Sequence, residues 1–227
     1  MERPAPARWS RAEEFLSARG AARTAHPGGT LLDHLHRVAR LLSAWGADLD
    51  VQLAGLCHAA YGTDGFDESL LGTTERGVLA ELIGDRAEAL VYLYASCDRA
   101  AVYPRLGNGF PVVFHDRFTG REHTPAEADV RAIAEITAAN ELDVLAHNVG
   151  LAERHGPALY GLFTRSRDLL SAPAWNACAE QLGRYASEPG IVISGLDHLV
   201  LTPAQVGDQR PQTRQVGQQD TRSYAQP

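Results

Sequence analysis

Lysine is absent from this sequence of 227 residues, so arginine supplies every basic side chain other than histidine. The formal net charge is −7 at pH 7. Proteins that bind nucleic acids need a concentrated basic surface, and no basic cluster interrupts this acidic balance. We therefore expect no nucleic-acid partner. A small anionic substrate is still compatible with the composition, because a few arginines suffice to bind one.

Cysteine is scarce, and long apolar runs are missing. The three cysteines are widely spaced and form no CxxC pair, which argues against a zinc ribbon and a disulfide framework. The first residues show no apolar signal segment, and no apolar run reaches the length of a transmembrane helix. We therefore expect a cytoplasmic protein without a membrane partner.

Hydrophobic residues recur at helical spacing over most of the chain. Thr30 can cap a helix over residues 31–45, and the apolar segment 50–61 predicts a second, central helix. Further helices are expected within segments 73–99, 125–148 and 155–186. Together these patterns predict one all-α domain over residues 1–201.

Two segments lack this helical spacing. Residues 103–125 are rich in glycine and proline and are long for a loop, which favours a functional lid or an irregular hairpin. Residues 202–227 are rich in glutamine and other polar residues and cannot bury a core. We predict that this C-terminal tail is disordered.

Two histidines fall on neighbouring predicted helices. His34 lies at the edge of the buried stripe of one helix, and His58 lies near the end of the next. A short connection makes these helices antiparallel neighbours, so both imidazoles could bind one metal ion with a carboxylate from a third helix. His26, in the turn "HPGG", could reach the same end. The alternatives are hydrogen-bonded core histidines at 34 and 58 and a turn histidine at 26.

The spacing of these residues resembles the HD-domain superfamily of metal-dependent phosphohydrolases. His34 is followed by Val38–Ala39, and "AGLCHA" carries His58 in the family's second histidine position, 24 residues later. The likeness is greatest to the branch that hydrolyses the alarmone guanosine tetraphosphate, and it covers roughly residues 20–150. It implies an HD-like helical bundle and an enzyme that uses a divalent metal.

The sequence departs from that branch at its acidic positions. Ala59 stands where the family has the aspartate of His-Asp, and Gly62 and Thr63 stand where alarmone hydrolases have an acidic pair. The last ligand aspartate of the family matches either Asn140 or Asp143, which lie about one turn of helix apart. The phrase His-Ala-Ala-Tyr-Gly-Thr also resembles an HD-like subgroup of unknown function with a modified motif.

The resemblance and its departures together imply a single, modified metal site. Its predicted ligands are His26, His34, His58 and Asp143. Imidazoles with one carboxylate suit iron(II), manganese(II), zinc(II) or nickel(II) by ligand type. The predicted cofactor is therefore one divalent transition metal.

Two residues near His58 are candidates for catalysis. Asp64 could act as a general base or orient a ligand histidine, and Tyr61 could donate a hydrogen bond to a substrate oxygen. The alternatives are a turn aspartate before Gly65 and an amphipathic core tyrosine.

Three arginines are candidates for binding an anionic substrate. Arg117 and Arg121 lie in the long loop and could clamp an anion as the loop closes. Arg99 follows Asp98 and could do the same. The alternatives are a turn with an Asp116–Arg117 ion pair, and a buried Asp98–Arg99 pair that ties two helices together.

Three functions are compatible with these residues. The first is a metal-dependent enzyme that acts on a small molecule, for instance by hydrolysing a phosphorylated or nucleotide-like metabolite. The second is a non-hydrolytic enzyme, such as an iron-dependent oxidative catalyst of a biosynthetic pathway. The third is a metal-free HD relative that binds a small ligand or a protein. A homodimer is left open.

Overall fold

The helices follow the hydrophobic pattern of the sequence in the computed structural model, which describes residues 5–66 and 68–186. The helices found there are α1 (Ala5–Ala18), α2 (Leu31–Ala44), α3 (Leu49–Cys57), α4 (Arg76–Ile83), α5 (Asp85–Ser96), α6 (Arg99–Val102), α7 (Glu127–Ala146), α8 (Val149–Arg165) and α9 (Ala172–Leu182). The predicted all-α fold class is confirmed. The predicted domain boundary at residue 201 and the predicted tail lie outside the described residues.

Helix α2 begins at the predicted cap. The Thr30 side chain accepts a hydrogen bond from the backbone N–H of Asp33 at 3.2 Å, and the Asp33 carboxylate accepts one from the N–H of Thr30 at 2.9 Å. This reciprocal capping box stabilises a helix start by about 1 kcal/mol. Gly46, with φ of +82°, ends the helix just after its last turn. The cap fixes where α2 starts and places His34 in its first turn.

Helix α3 is the central helix, as its apolar sequence predicts. It packs against α2, α5 and α7, and all of its side chains from Leu53 to Cys57 are buried. Gly55 allows α2 to come unusually close, because a Cβ added there would lie 2.2 Å from Cδ1 of Leu42. The helix ends at Cys57, so His58 lies at its C-terminal cap. The close packing of α2 on α3 brings His58 to His34.

Helix α7 is the second buried helix. Its side chains from Val130 to Leu145 are nearly all buried, because it packs against α2, α3, α5, α8 and α9. A helix buried on all sides carries polar residues only where they have partners. Asn140, Glu141 and Asp143 are the polar residues of one of its buried turns, and this turn faces the histidines.

Two short hairpins complete the described fold. Strands β1 (Ala25–His26) and β2 (Gly29–Thr30) form the "HPGG" turn before α2, with His26 opposite Gly29. Strands β3 (Phe114–Asp116) and β4 (Arg121–His123) lie within the long loop, with His115 opposite Glu122. Of the two predicted alternatives for this loop, the hairpin is therefore found. No helix in the described part of the chain has the length and apolar character needed to cross a membrane.

Candidate functional site

Two histidine rings meet at the floor of a pocket between α2, α3 and α7. The Nε2 atoms of His34 and His58 are 3.3 Å apart, and the ring planes are nearly perpendicular. Both side chains are almost fully buried, with 1% and 2% of their surface exposed. The helix packing therefore brings together the two histidines that the sequence singled out.

The other ring nitrogen of each histidine has an acceptor as its partner. Nδ1 of His58 lies 2.8 Å from the carbonyl oxygen of Gly55, and Nδ1 of His34 lies 2.6 Å from Oδ2 of Asp143. Both Nδ1 atoms therefore carry the proton, because a carbonyl and a carboxylate can only accept. With its Nδ1 proton on Gly55, a neutral His58 presents the lone pair of its Nε2 to Nε2 of His34, 3.3 Å away.

Asn140 places an amide oxygen beside the two rings. Its Oδ1 lies 3.1 Å from Nε2 of His34, while its Nδ2 donates to Oε1 of Glu141 at 3.0 Å. The Glu141 carboxylate fixes the amide orientation, because it can only accept a hydrogen bond. Of the two residues that match the family's last ligand, Asn140 is the one beside the Nε2 atoms.

Asp143 lies on the opposite edge of the His34 ring. Arg37 holds both of its oxygens, from Nε at 2.6 Å and from Nη2 at 3.0 Å. Burial raises the pKa of Asp143, but the hydrogen bonds from His34 and Arg37 outweigh it and lower this pKa to about 2. Arg37 also donates to the carbonyls of Pro27 and Gly28. The carboxylate therefore orients His34 and links α2 and α7 to the first hairpin.

His26 covers the other histidines. Its ring is stacked on His34, with 4.0 Å between the centroids and 26° between the planes. Only 6% of its surface is exposed, and its Nδ1 has no hydrogen-bond partner among the described residues. Burial, together with the neighbouring rings of His34 and His58, lowers the pKa of His26 to about 2. His26 is therefore neutral and keeps one buried polar atom unsatisfied.

His58 is held neutral in the same way. Burial lowers its pKa to about 3, and the neighbouring His34 and Arg99 add to this effect. A buried imidazole that stays neutral presents a lone pair rather than a positive charge. His58 therefore acts as an acceptor through Nε2 at physiological pH.

A buried ion pair forms one wall of the pocket. Arg99 donates from Nη1 to Oε1 of Glu141 at 3.1 Å and from Nη2 to the hydroxyl of Tyr94 at 3.1 Å. Asp64 accepts a hydrogen bond from the backbone N–H of Arg99 at 2.8 Å. The predicted Asp98–Arg99 pair is not formed, because Asp98 instead caps α6 through the N–H of Ala101. The Arg99 guanidinium is thus neutralised within the wall.

The rest of the pocket is apolar. The space open to the centre of a water-sized molecule is about 40 Å³. The apolar lining consists of Leu31, Ala59, Phe66, Val144, Leu145 and Leu151. A concave site with an apolar wall and a few convergent polar groups is typical of pockets for small molecules.

The described residues are poor ligands for a divalent metal. No group of three or more His, Cys, Asp or Glu side chains among them is placed to hold a metal ion. The carboxylate positions of the family are Ala59 and the neutral Asn140, and Asp143 is already bound by His34 and Arg37. The predicted set of His26, His34, His58 and Asp143 therefore comes together as neighbours, with the Asp143 carboxylate held by His34 and Arg37 rather than free.

Three of the other predicted site residues lie outside the pocket lining. The Tyr61 hydroxyl donates to Oε1 of Glu88 at 2.9 Å, so its proton is already used. Arg117 donates to the carbonyl of Ala95 at 2.7 Å, and Arg121 is exposed on β4. The second hairpin contributes no residue to this pocket and so does not act as its lid in this structure.

Sequence reasoning missed several residues of the pocket. Glu141 and His155 line it, and Arg37 supports it from behind His34. Arg37 could have been found as the cation three residues after His34 on the same helix, facing a carboxylate on α7. Phe66, which meets His26 edge to face with 5.8 Å between the ring centroids, carries no comparable signal.

Comparisons with known proteins bear on the fold through one solved structure and show no activity for this chain. Residues 15–99 match a family described as a domain of unknown function, DUF6817, and this segment contains His34 and His58 but ends before α7. Among the curated proteins compared, none matches the sequence.

One solved structure resembles the chain with a TM-score of 0.52 and 14% sequence identity over 82% of this chain and 99% of its own. It is reported as a metazoan ortholog of SpoT that hydrolyzes ppGpp. At this identity the likeness concerns the fold alone, and the helical fold of this chain is HD-like.

Proposed function

We propose that this HD-like domain binds a small organic molecule in the histidine pocket without a metal ion. One observation carries the proposal. Nε2 of His34, Nε2 of His58 and Oδ1 of Asn140 converge where the family resemblance places metal ligands, and the nearby carboxylates of Asp143 and Glu141 are already paired with Arg37 and Arg99. Two imidazoles and one amide oxygen make a weaker set than the three histidine, cysteine or carboxylate ligands that hold catalytic zinc.

Hydrolysis of a phosphorylated metabolite is less well supported by the geometry. The fold is similar to that of a protein that hydrolyzes ppGpp, but phosphoryl chemistry needs cations that neutralise the developing charge. The guanidinium in this pocket wall belongs to Arg99, which is bound by Glu141. Asp64, which lines the pocket, stays the predicted general base for any reaction that does not need a metal.

Metal analysis of the chain purified without a histidine tag tests the proposal. We expect less than about a tenth of an equivalent of any transition metal, as isolated and after exposure to Mn²⁺, Zn²⁺, Ni²⁺ or anaerobic Fe²⁺. We also expect no release of pyrophosphate from ppGpp. His58→Ala is the matched variant, because it removes the Nε2 atom of His58 from the site. One equivalent of metal that is lost in this variant, or ppGpp hydrolysis that is lost with it, would overturn the proposal.

A further inference from the structure

A second cavity lies over α7, between α2 and α9, and we call it the α2–α9 groove. Both flanking helices pack against α7. The space open to the centre of a water-sized molecule is about 360 Å³ in this groove, against about 40 Å³ in the histidine pocket. The two cavities share no lining residue. The main lining residues of the groove are Arg37, Arg40, Leu41, Leu142, Ala146 and Ala177.

The sequence spacing on each helix explains why these side chains share the groove. Positions 37, 40 and 41 on α2, 142 and 146 on α7, and 177 and 181 on α9 are three or four residues apart. Side chains with this spacing lie on one face of a helix. Each of the three helices therefore turns one continuous face towards the groove.

The interior of the α2–α9 groove is apolar. Leu142 is buried, and Leu41 and Ala177 are partly buried against the core. Gln181 donates from Nε2 to the carbonyl oxygen of Leu142 at 2.7 Å, so this N–H already has its partner within the protein. Apolar surface of this kind is stabilised when an apolar chain displaces water from it.

The charges of the α2–α9 groove favour an anion. Arg37 donates from Nε and Nη2 to the carboxylate of Asp143, which is the one carboxylate of the lining. Arg40 is exposed and forms no ion pair among the described residues. The lining therefore carries two guanidinium groups and one carboxylate, which leaves one positive charge, on Arg40, without a partner in the lining.

We infer that the α2–α9 groove binds a small amphipathic carboxylate, with its head group on Arg40 and its alkyl chain against Leu41, Leu142 and Ala177. The planar guanidinium of arginine matches a carboxylate through two parallel hydrogen bonds. The single charge of a carboxylate balances the charge of Arg40, whereas a phosphate monoester with nearly two charges would exceed it. This site goes beyond the proposed function and does not depend on it.

Isothermal titration of the full chain with octanoate, octylammonium and hexanoate tests this inference. We expect octanoate to bind with a dissociation constant below about 1 mM. Octylammonium should bind at least about threefold more weakly, because its charge has the same sign as that of Arg40. Hexanoate should bind at least about fivefold more weakly, because it buries two fewer methylene groups.

Two variants locate the ligand in the groove. Arg40→Gln removes the unpaired charge and should weaken octanoate binding about three- to fivefold without weakening octylammonium binding. Ala177→Trp adds a large side chain to the apolar wall and should weaken octanoate binding at least about tenfold. Arg23→Gln is the control for charge, because Arg23 is exposed and lies outside the groove lining, and it should leave the affinity unchanged. Circular dichroism checks that each variant keeps its helices.

Several results would overturn the inference. They are no octanoate binding up to about 10 mM, octylammonium binding as tight as that of octanoate, and equal weakening in Arg40→Gln and Arg23→Gln. A dimer in size-exclusion chromatography that Ala177→Trp dissociates would assign the groove to a second copy of the chain instead. A stoichiometric metal in the purified chain would overturn the proposed function and leave this inference in place, because the two cavities have separate linings.

Discussion

The ion pair with Arg37 makes Asp143 a structural support rather than a free metal ligand. The variant Arg37→Leu tests this role of Asp143. The variant keeps the apolar stem of the side chain and removes the guanidinium that lies 2.6 Å and 3.0 Å from the two carboxylate oxygens. Asp143 is then left buried with His34 as its remaining strong donor. The protein should become less stable.

The size of the loss follows from the burial of the pair. Removing one partner of a fully buried ion pair costs about 3–5 kcal/mol. The Asp143 side chain is 3% exposed, but that of Arg37 is 24% exposed, so water replaces part of the interaction. We therefore expect a loss of about 2–3 kcal/mol in the free energy of unfolding.

Urea denaturation followed by circular dichroism measures this loss. Arg40→Leu is the matched control, because Arg40 lies three residues further along α2, is exposed and forms no ion pair among the described residues. It should change the stability by no more than about 0.5 kcal/mol. Adding Asp143→Asn to Arg37→Leu should recover at least about 1 kcal/mol, because a neutral amide needs no guanidinium. Equal losses in Arg37→Leu and Arg40→Leu would refute the support role of the pair.

Three further predictions concern the metal, the pH dependence and the helix packing. The double variant Ala59→Asp/Asn140→Asp should bind Mn²⁺ with a dissociation constant of about 1 μM, because it adds two carboxylates beside the two imidazoles. Calorimetry measures this affinity. No detectable binding at about 1 mM Mn²⁺, a concentration about a thousandfold higher, would contradict the prediction. The pKa of His58 is lowered to about 3, below its ordinary 6.5, so the unfolded chain binds the proton first. The free energy of unfolding should then fall as the pH drops from about 6.5 towards 3, by up to about 1.4 kcal/mol per pH unit, and His58→Asn should reduce this slope in urea titrations. Gly55→Ala should lower the melting temperature, because the added methyl group would lie 2.2 Å from Cδ1 of Leu42 on α2. Gly77→Ala is the control and should raise the melting temperature slightly, because no atom lies within 4 Å of the added methyl group and alanine favours a helix.

The helices could be predicted from the sequence because their signals are local. The cap at Thr30 and the apolar character of α3 fix the start of one helix and the burial of the next. These two helices carry His34 and His58, and their short connection dictates an antiparallel pair. Hydrophobic spacing and the short connection between α2 and α3 are therefore enough to predict that the two rings lie close together.

The roles of the polar residues could not be predicted, because they depend on the rotation of α7. Asn140 and Asp143 are three residues apart and lie on nearly the same face of an isolated helix. Only the packed structure shows that one faces the Nε2 edge of His34 and the other its Nδ1 edge. The partner of Arg99 is likewise Glu141, 42 residues away, rather than the adjacent Asp98. Spacing along the sequence carries no information about such pairs.

The electrostatics of the site are self-consistent without a metal. A divalent ion beside the imidazoles and the Asn140 amide would add two positive charges to a site in which Asp143 and Glu141 are already paired with Arg37 and Arg99. Burying uncompensated charge is costly, and carboxylates are what normally offset that cost in a metal centre. Without them, each histidine is instead oriented by its own acceptor, Asp143 or the carbonyl of Gly55. Both rings are thus held in place by acceptors that the protein itself supplies.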